Sequence, residues 1–347
     1  KHLIVTLLLY RILMILAEDS EYKTINTNAG PIRGKLINLN SNKKVWNFLS
    51  IPYATPPIGQ LRFKRPQPVT PWEKTKDVWE RPNSCAQGYD TGLNNFSGIH
   101  AWNPNTNVSE DCLYLSVYAG NNESCESLPV MVWIYGGGFY SGTSTLDLYN
   151  AANIVAKHDV IVVEIQYRLG PFGFLYLDHE DAPGNMGLLD QLLALQWIKE
   201  NIEKFGGDPG KVTLFGESAG AASISYHMMN STSASLFHQA IFQSASNLPS
   251  WAFSPPNIIQ THGKQLLQVV NCNRTAIQQS IECLRNVSMM SLAESQFVTS
   301  DFAVFPFVPT IDNYLIYQSP FEAFSAGNYS KKPLLSGVNE KDRKSVV

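Results

Sequence analysis

A serine hydroxyl is a useful nucleophile only where the backbone presents it openly and a base takes its proton. Residues 212–223 read VTLFGESAGAAS: an apolar β-type run, then Gly216-Glu217-Ser218-Ala219-Gly220, then small helix-tolerant residues. This is a G-x-S-x-G arrangement in a strand-turn-helix setting, which lifts Ser218 above the end of a sheet. Glycines on both sides remove the Cβ atoms that would clash in so tight a turn. The helix starting behind the serine aims its first amides at any oxyanion formed there. Ser218 is therefore the candidate nucleophile. Gly136-Gly137-Gly138 closes the apolar run 129–138, PVMVWIYGGG. The amides of Gly137, Gly138 and Ala219 can form a three-donor oxyanion hole, each donor contributing ~3 kcal/mol of transition-state stabilisation. The chemistry implied is acyl transfer through a covalent acyl-serine.

Such a serine needs an acid and a base, in the chain order Ser, Asp or Glu, His. The acid belongs just past a late strand, and 332–339, KPLLSGVN, is the candidate strand. Asp342 follows it, with Glu340 nearby. All seven histidines (His2, His100, His158, His179, His227, His238 and His262) precede Asp342 and read as surface or packing residues. The chain is thus expected to stop before its general base and to have little or no turnover as it stands.

The elements that must position these groups can be read from the apolar runs. Residues 129–138, 160–170 and 211–217 are continuous apolar strands, the pattern of a sheet covered on both faces. A helix is expected from Leu188 to Phe205, ended by Gly206-Gly207. Alternating strands and helices predict an α/β fold with a mostly parallel, doubly wound sheet. Residues 22–39 read as a β-hairpin about Gly30-Pro31, and 48–68 as an irregular covering segment rich in proline and aromatics. Residues 85–112 form a cysteine-bounded loop, and 120–127 a surface loop carrying Cys125. Residues 236–246 read as helix running into strand, and 257–295 as helical. No linker divides the chain, so one domain, 18–347, is expected.

The 347 residues carry a formal net charge of −3 and no basic block, which argues against nucleic acid as a partner. Residues 3–17 are apolar apart from Thr6, Tyr10 and Arg11, and read as a secretory signal peptide cut near Ala17. No other segment is long enough to span a bilayer, and the protein is expected to be secreted or held at the extracellular face of the cell surface. That route makes Cys85, Cys112, Cys125, Cys272 and Cys283 disulfide candidates, one of them left over. It also makes the sequons at Asn95, Asn107, Asn122, Asn230, Asn273, Asn286 and Asn328 glycosylation candidates. No metal site or cofactor is expected.

The blocks FLSIPYATPPIGQLRF, SEDCLYL, WIYGGGFYSGT, APGNMGLLDQLLALQWIKENI, FGGDP and VTLFGESAGAAS resemble the type-B carboxylesterase family of the α/β-hydrolase superfamily, and most of all its cholinesterases. The resemblance runs from about Tyr22 to Asp342. It implies Ser218 as nucleophile, Asp342 as acid, and Gly137, Gly138 and Ala219 as oxyanion hole. It implies Glu217 as a buried anion near a choline site and Trp102 as the choline-binding indole. Physics supports the indole, because a quaternary ammonium donates no hydrogen bond and binds an aromatic face by cation–π attraction. Asp90 and Tyr140 match positions in a gorge, and Trp251 and Phe305 match acyl-pocket aromatics. The family's first two disulfides correspond to Cys85–Cys112 and Cys272–Cys283.

The departures are informative. Ala303 replaces an acyl-pocket Phe, which implies room for acyl groups larger than acetyl. Glu294 and Gly88 replace aromatic rim residues, and Asp342 is followed by Arg343 where the family has Glu then Gly. The resemblance implies a C-terminally truncated serine esterase for choline esters such as acetylcholine. A general carboxylesterase for uncharged esters and a non-catalytic neuroligin-like adhesion protein are the alternatives.

Overall fold

A computed structural model describes residues 21–39, 43–91, 97–121, 127–298 and 305–340. β1 (Tyr22–Asn26) and β2 (Pro31–Asn38) form the expected hairpin, with Asn26 opposite Pro31. The other main strands are β3 (Lys44–Pro52), β4 (Tyr114–Gly120), β5 (Leu128–Ile134), β6 (Ile161–Ile165), β7 (Gly207–Glu217), β8 (Gln239–Gln243) and β9 (Leu334–Gly337). Their spatial order is β1-β2-β3-β4-β6-β5-β7-β8-β9, and the two-residue strand Lys76–Asp77 also pairs with β2. From β1 to β6 neighbours are antiparallel, and from β6 to β9 they are parallel. The parallel half is the doubly wound part, and both chemical motifs sit at its carboxyl ends.

Val162 and Val163 fall in different apolar clusters, one per face of the sheet. Both faces of the central strands are therefore buried, which is why they read as unbroken apolar runs. α1 (Ala152–Lys157) packs on one face beside Tyr118 and Val162. α2 (Met186–Asn201) and α3 (Ala219–Met229) pack on the other through Leu195, Ile198, Ile224 and Met228. α4 (Pro256–Val269), α5 (Ile277–Asn286), α6 (Met289–Glu294) and α7 (Pro320–Ala326) complete the longer helices among the described residues.

Two readings need adjustment. Residues 48–52 are not irregular: they belong to β3, which pairs with β2 on one edge and β4 on the other. Val45 to Leu49 are all buried, so the strand shows no alternation, and Pro52 comes only at its end. The helix expected over 188–205 starts earlier, at Met186, where Asn185 takes φ 61°. It gives way after Asn201 to a 3-10 turn, Ile202–Phe205, closed by Gly206 at φ 89°.

Cys85–Cys112 and Cys272–Cys283 are both disulfide-bonded. Cys125 lies outside the described residues. Arg168 is clamped onto Asp190 by Nε and Nη2, at 2.8 and 2.7 Å, and both side chains are buried. The Arg168 backbone N–H adds a bond to the same carboxylate at 3.0 Å, so the chain after β6 is fastened to the start of α2. No helix among the described residues is long and apolar enough to cross a membrane.

Candidate active site

β7 ends at Glu217, α3 begins at Ala219, and Ser218 stands between them at φ 56°, ψ −122°. That backbone conformation is costly for a residue with a side chain and persists only where its surroundings enforce it. The enforcement is backbone on backbone. A Cβ on Gly216 would lie 2.7 Å from the Ile134 carbonyl oxygen and 2.7 Å from the Gly220 carbonyl carbon, and one on Gly220 would overlap the Ile134 carbonyl. Ser218 N–H donates to Gln243 O at 2.9 Å, tying the turn to the end of β8. The serine itself is 6% exposed.

The glycine run is pressed against this turn. A Cβ on Gly136 would lie 2.9 Å from the Ser218 Cβ and 2.9 Å from Glu217 Oε2. Gly137 has φ 113° and Gly138 φ 60°. The Gly137 carbonyl turns back into its own loop, accepting from Tyr140 N at 3.1 Å and Ser141 N at 3.0 Å. Among the described residues, the amides of Gly137, Gly138 and Ala219 donate no backbone hydrogen bond. Three available donors beside a strained serine form an arrangement suited to developing negative charge.

Aromatic side chains flank the turn on two sides. On one, Trp251 meets Phe305 with centroids 6.0 Å apart, and Phe305 meets Tyr140 at 5.2 Å. The space over Gly138 is bounded by Tyr140 and Phe305. On the other side, Trp102 stands 6.5 Å from Tyr149, which packs on Trp133 at 4.9 Å. Burial, followed by the Glu217 carboxylate, pushes the Tyr149 hydroxyl above its ordinary pKa, so Glu217 acts on this side. Burial and then Asp90 raise Tyr140 in the same way.

Asp90, Trp102 and Tyr140 line one cleft of about 670 Å³, with Ser141, Glu294 and Phe297. Trp102 is 56% exposed, so part of its indole is accessible from the cleft. Asn103 bridges to Asp90 twice. Asn103, Tyr149 and Phe297 were not singled out from sequence. The only signal for Asn103 was its place next to Trp102, and for the other two it was aromaticity alone. No group of His, Cys, Asp and Glu among the described residues could hold a metal ion.

Asp342, Ala303, Asn95 and Asn122 lie outside the described residues, as does His2. Glu340 is exposed. His179 and His238 each accept a backbone N–H through Nδ1, at 3.1 and 3.2 Å, and His262 Nδ1 lies 3.0 Å from Pro306 O. His227 is buried against Gln191, while His100 and His158 are exposed. Asn107, Asn273, Asn286 and Asn328 are exposed. Asn230 is buried, with Nδ2 donating to Leu315 O and Oδ1 capping the turn that follows.

The sequence model of the Carboxylesterase family matches residues 21–347. Acetylcholinesterase 1 of Caenorhabditis elegans is 41% identical over 319 residues, covering 90% of this chain and 52% of that protein. Acetylcholinesterase 4 of Caenorhabditis briggsae is 47% identical over 285 residues, covering 82% of this chain and 47% of that protein. The acetylcholinesterase of Danio rerio is 42% identical over 320 residues, covering 91% and 50%. The chain spans about half the length of these curated relatives.

Proposed function

The chain belongs to the carboxylesterase family, and we propose that it carries the acyl-forming half of a cholinesterase-like active site, with Ser218 as nucleophile. The observation that carries this reading is the strained Ser218 backbone, held by Gly216 and Gly220 and faced by the Gly136–Gly138 loop. Ser218 Oγ attacks the ester carbonyl, and the amides of Gly137, Gly138 and Ala219 take up the oxyanion. The serine proton, taken by a histidine base, passes to the alcohol as it leaves; water then attacks the acyl-serine, and its proton returns through the same base to Ser218 as the acid departs. Asp342 is the acid of this reading, and in this chemistry the histidine base follows the acid in chain order.

A choline ester is the proposed substrate, and the similarity to acetylcholinesterases supports it. The cleft supports it too, because Trp102 and Asp90 line it together. Cation–π attraction contributes ~1–2 kcal/mol to a desolvated quaternary ammonium. Trp251 and Phe305 pack together on the proposed acyl side. The single domain, the leader at 1–17 and an extracellular site of action are part of the same proposal.

The test is labelling of the full-length protein with a fluorophosphonate, with the adduct located by peptide mass spectrometry. The adduct is expected on Ser218 and lost in Ser218→Ala. An unlabelled Ser218 would favour a non-catalytic adhesion role. Comparing kcat/KM for acetylcholine and its uncharged 3,3-dimethylbutyl isostere then decides the substrate class. A preference of about tenfold for the cation is expected from the cation–π contribution. Equal values would favour a general carboxylesterase.

A further inference from the structure

Beneath the serine, three buried polar side chains form a directed chain that the acyl-transfer chemistry does not itself use. His227 Nε2 lies 2.9 Å from Gln191 Oε1. Gln191 Nε2 donates to Ser223 Oγ at 3.1 Å, and Ser223 Oγ donates to the Ala219 carbonyl at 2.8 Å. Gln191, Ser223 and His227 all have 0% exposure. Gln191 presents a carbonyl to the ring, so the neutral imidazole carries its proton on Nε2. Every link then points the same way, and hydrogen bonds aligned in this manner polarise one another. The chain ends on Ala219, the residue after the nucleophile.

The chain is anchored at its middle and at its Ala219 end. Gln191 follows Asp190, which is held by three hydrogen bonds from Arg168. Gly220, on the far side of Ala219, is in backbone contact with Ile134. Ala219 is therefore held through its carbonyl by Ser223 of its own helix, which Gln191 of α2 supports, and through its neighbour by β5. A serine that only satisfied itself by bonding back to its own helix would need no glutamine, and that glutamine would need no buried histidine.

We infer that His227, Gln191 and Ser223 are positioning residues: by fixing the Ala219 carbonyl they hold the peptide unit that follows it and, through the Ala219 backbone torsions, the aim of the Ala219 N–H in the oxyanion hole. This rests on the reading of Ser218 as nucleophile. Losing a whole oxyanion donor costs about 10²–10³ in rate, and a misaimed donor costs a fraction of that.

The test uses the full-length protein and the second-order rate of fluorophosphonate labelling at Ser218, measured well below each variant's melting midpoint. Ser223→Ala and His227→Leu are expected to label about tenfold more slowly. For ester turnover, kcat is expected to fall with KM unchanged. His227→Gln keeps a donor to Gln191 and is expected to restore labelling to within about threefold of wild type. Wild-type labelling rates in Ser223→Ala and His227→Leu, with only their melting midpoints lowered, would overturn the inference and leave the nucleophile reading intact. A wild-type Ser218 that does not label would overturn both.

Discussion

Asn103 holds Asp90 by both ends of its side-chain amide, accepting from the Asp90 N–H at 2.8 Å and donating to the Asp90 carbonyl at 2.8 Å. Asp90 lines the cleft, and so does Trp102, the residue before Asn103. A cation entering that cleft meets a charge whose backbone cannot drift.

Asn103→Ala removes both bonds and frees the loop. With ~1 kcal/mol lost per exposed hydrogen bond at most, KM for a choline ester is expected to rise about fivefold. The uncharged isostere should change by less than twofold. Steady-state kinetics of the two esters on full-length enzyme measure the difference. Equal changes would mean that Asn103 only supports the loop.

Asp190 receives three hydrogen bonds from Arg168 in a fully buried pair. Asp190→Ala strands the guanidinium away from water. Removing one partner of such a pair costs about 3–5 kcal/mol. Urea denaturation should show that loss, and Asp190→Asn, which keeps an acceptor, should lose less.

Two buried groups give the stability a pH dependence of opposite sign. Burial lowers His227 to about 4, so the native ring stays neutral where the unfolded ring takes a proton. Its contribution is complete above about pH 6.5 and is lost as pH falls toward 4. Glu164 sits on β6 at 2% exposure, and burial raises its carboxyl well above the ordinary value despite the Tyr118 hydrogen bond and Arg81. The native state holds that proton where the unfolded state releases it, so stability is complete below about pH 4.5 and is lost as pH rises. Between pH 4.5 and 6.5 the two oppose each other. In this window Glu164→Gln should become more stable with rising pH, and His227→Gln less stable. Urea midpoints at pH 4.5, 5.5 and 6.5 check both signs. Parallel curves for wild type and the two variants would contradict the assignment.

Asn328 is exposed, while Asn230 is buried with both amide atoms engaged. In protein from a secretory host, glycopeptide mapping should find glycan at Asn328 and none at Asn230. Heavy occupancy of Asn230 would mean that glycan is added before the Leu315 segment closes over it.

The nucleophile turn was legible because its requirements fall on residue types that nothing else explains. Two glycines bracket a serine just where an apolar strand stops. β6 and β7 were legible for a related reason, since burial on both faces demands unbroken apolar runs. β3 was hidden by the same physics, because its buried stretch runs into Pro52 and merges with a proline-rich segment. The Asp90–Asn103 bridge and the His227–Gln191–Ser223 chain had no signal. Each joins residues whose types are ordinary and whose meeting depends on how loops and helices pack. His227 read as a packing residue, and only its contact with Gln191 gives it direction. Asp342 lies outside the described residues, so its reading rests on chain order and the family resemblance.

The contacts that set the Ser218 turn are made by backbone atoms of Ile134, Gly216 and Gly220. The aromatic walls at Trp102, Tyr140, Trp251 and Phe305 hang from other segments. Lineages carrying this scaffold are thus free to exchange those walls and adopt new esters while the reacting oxygen keeps its place. Chemistry and selectivity are inherited on separate parts of the molecule and can diversify at different rates.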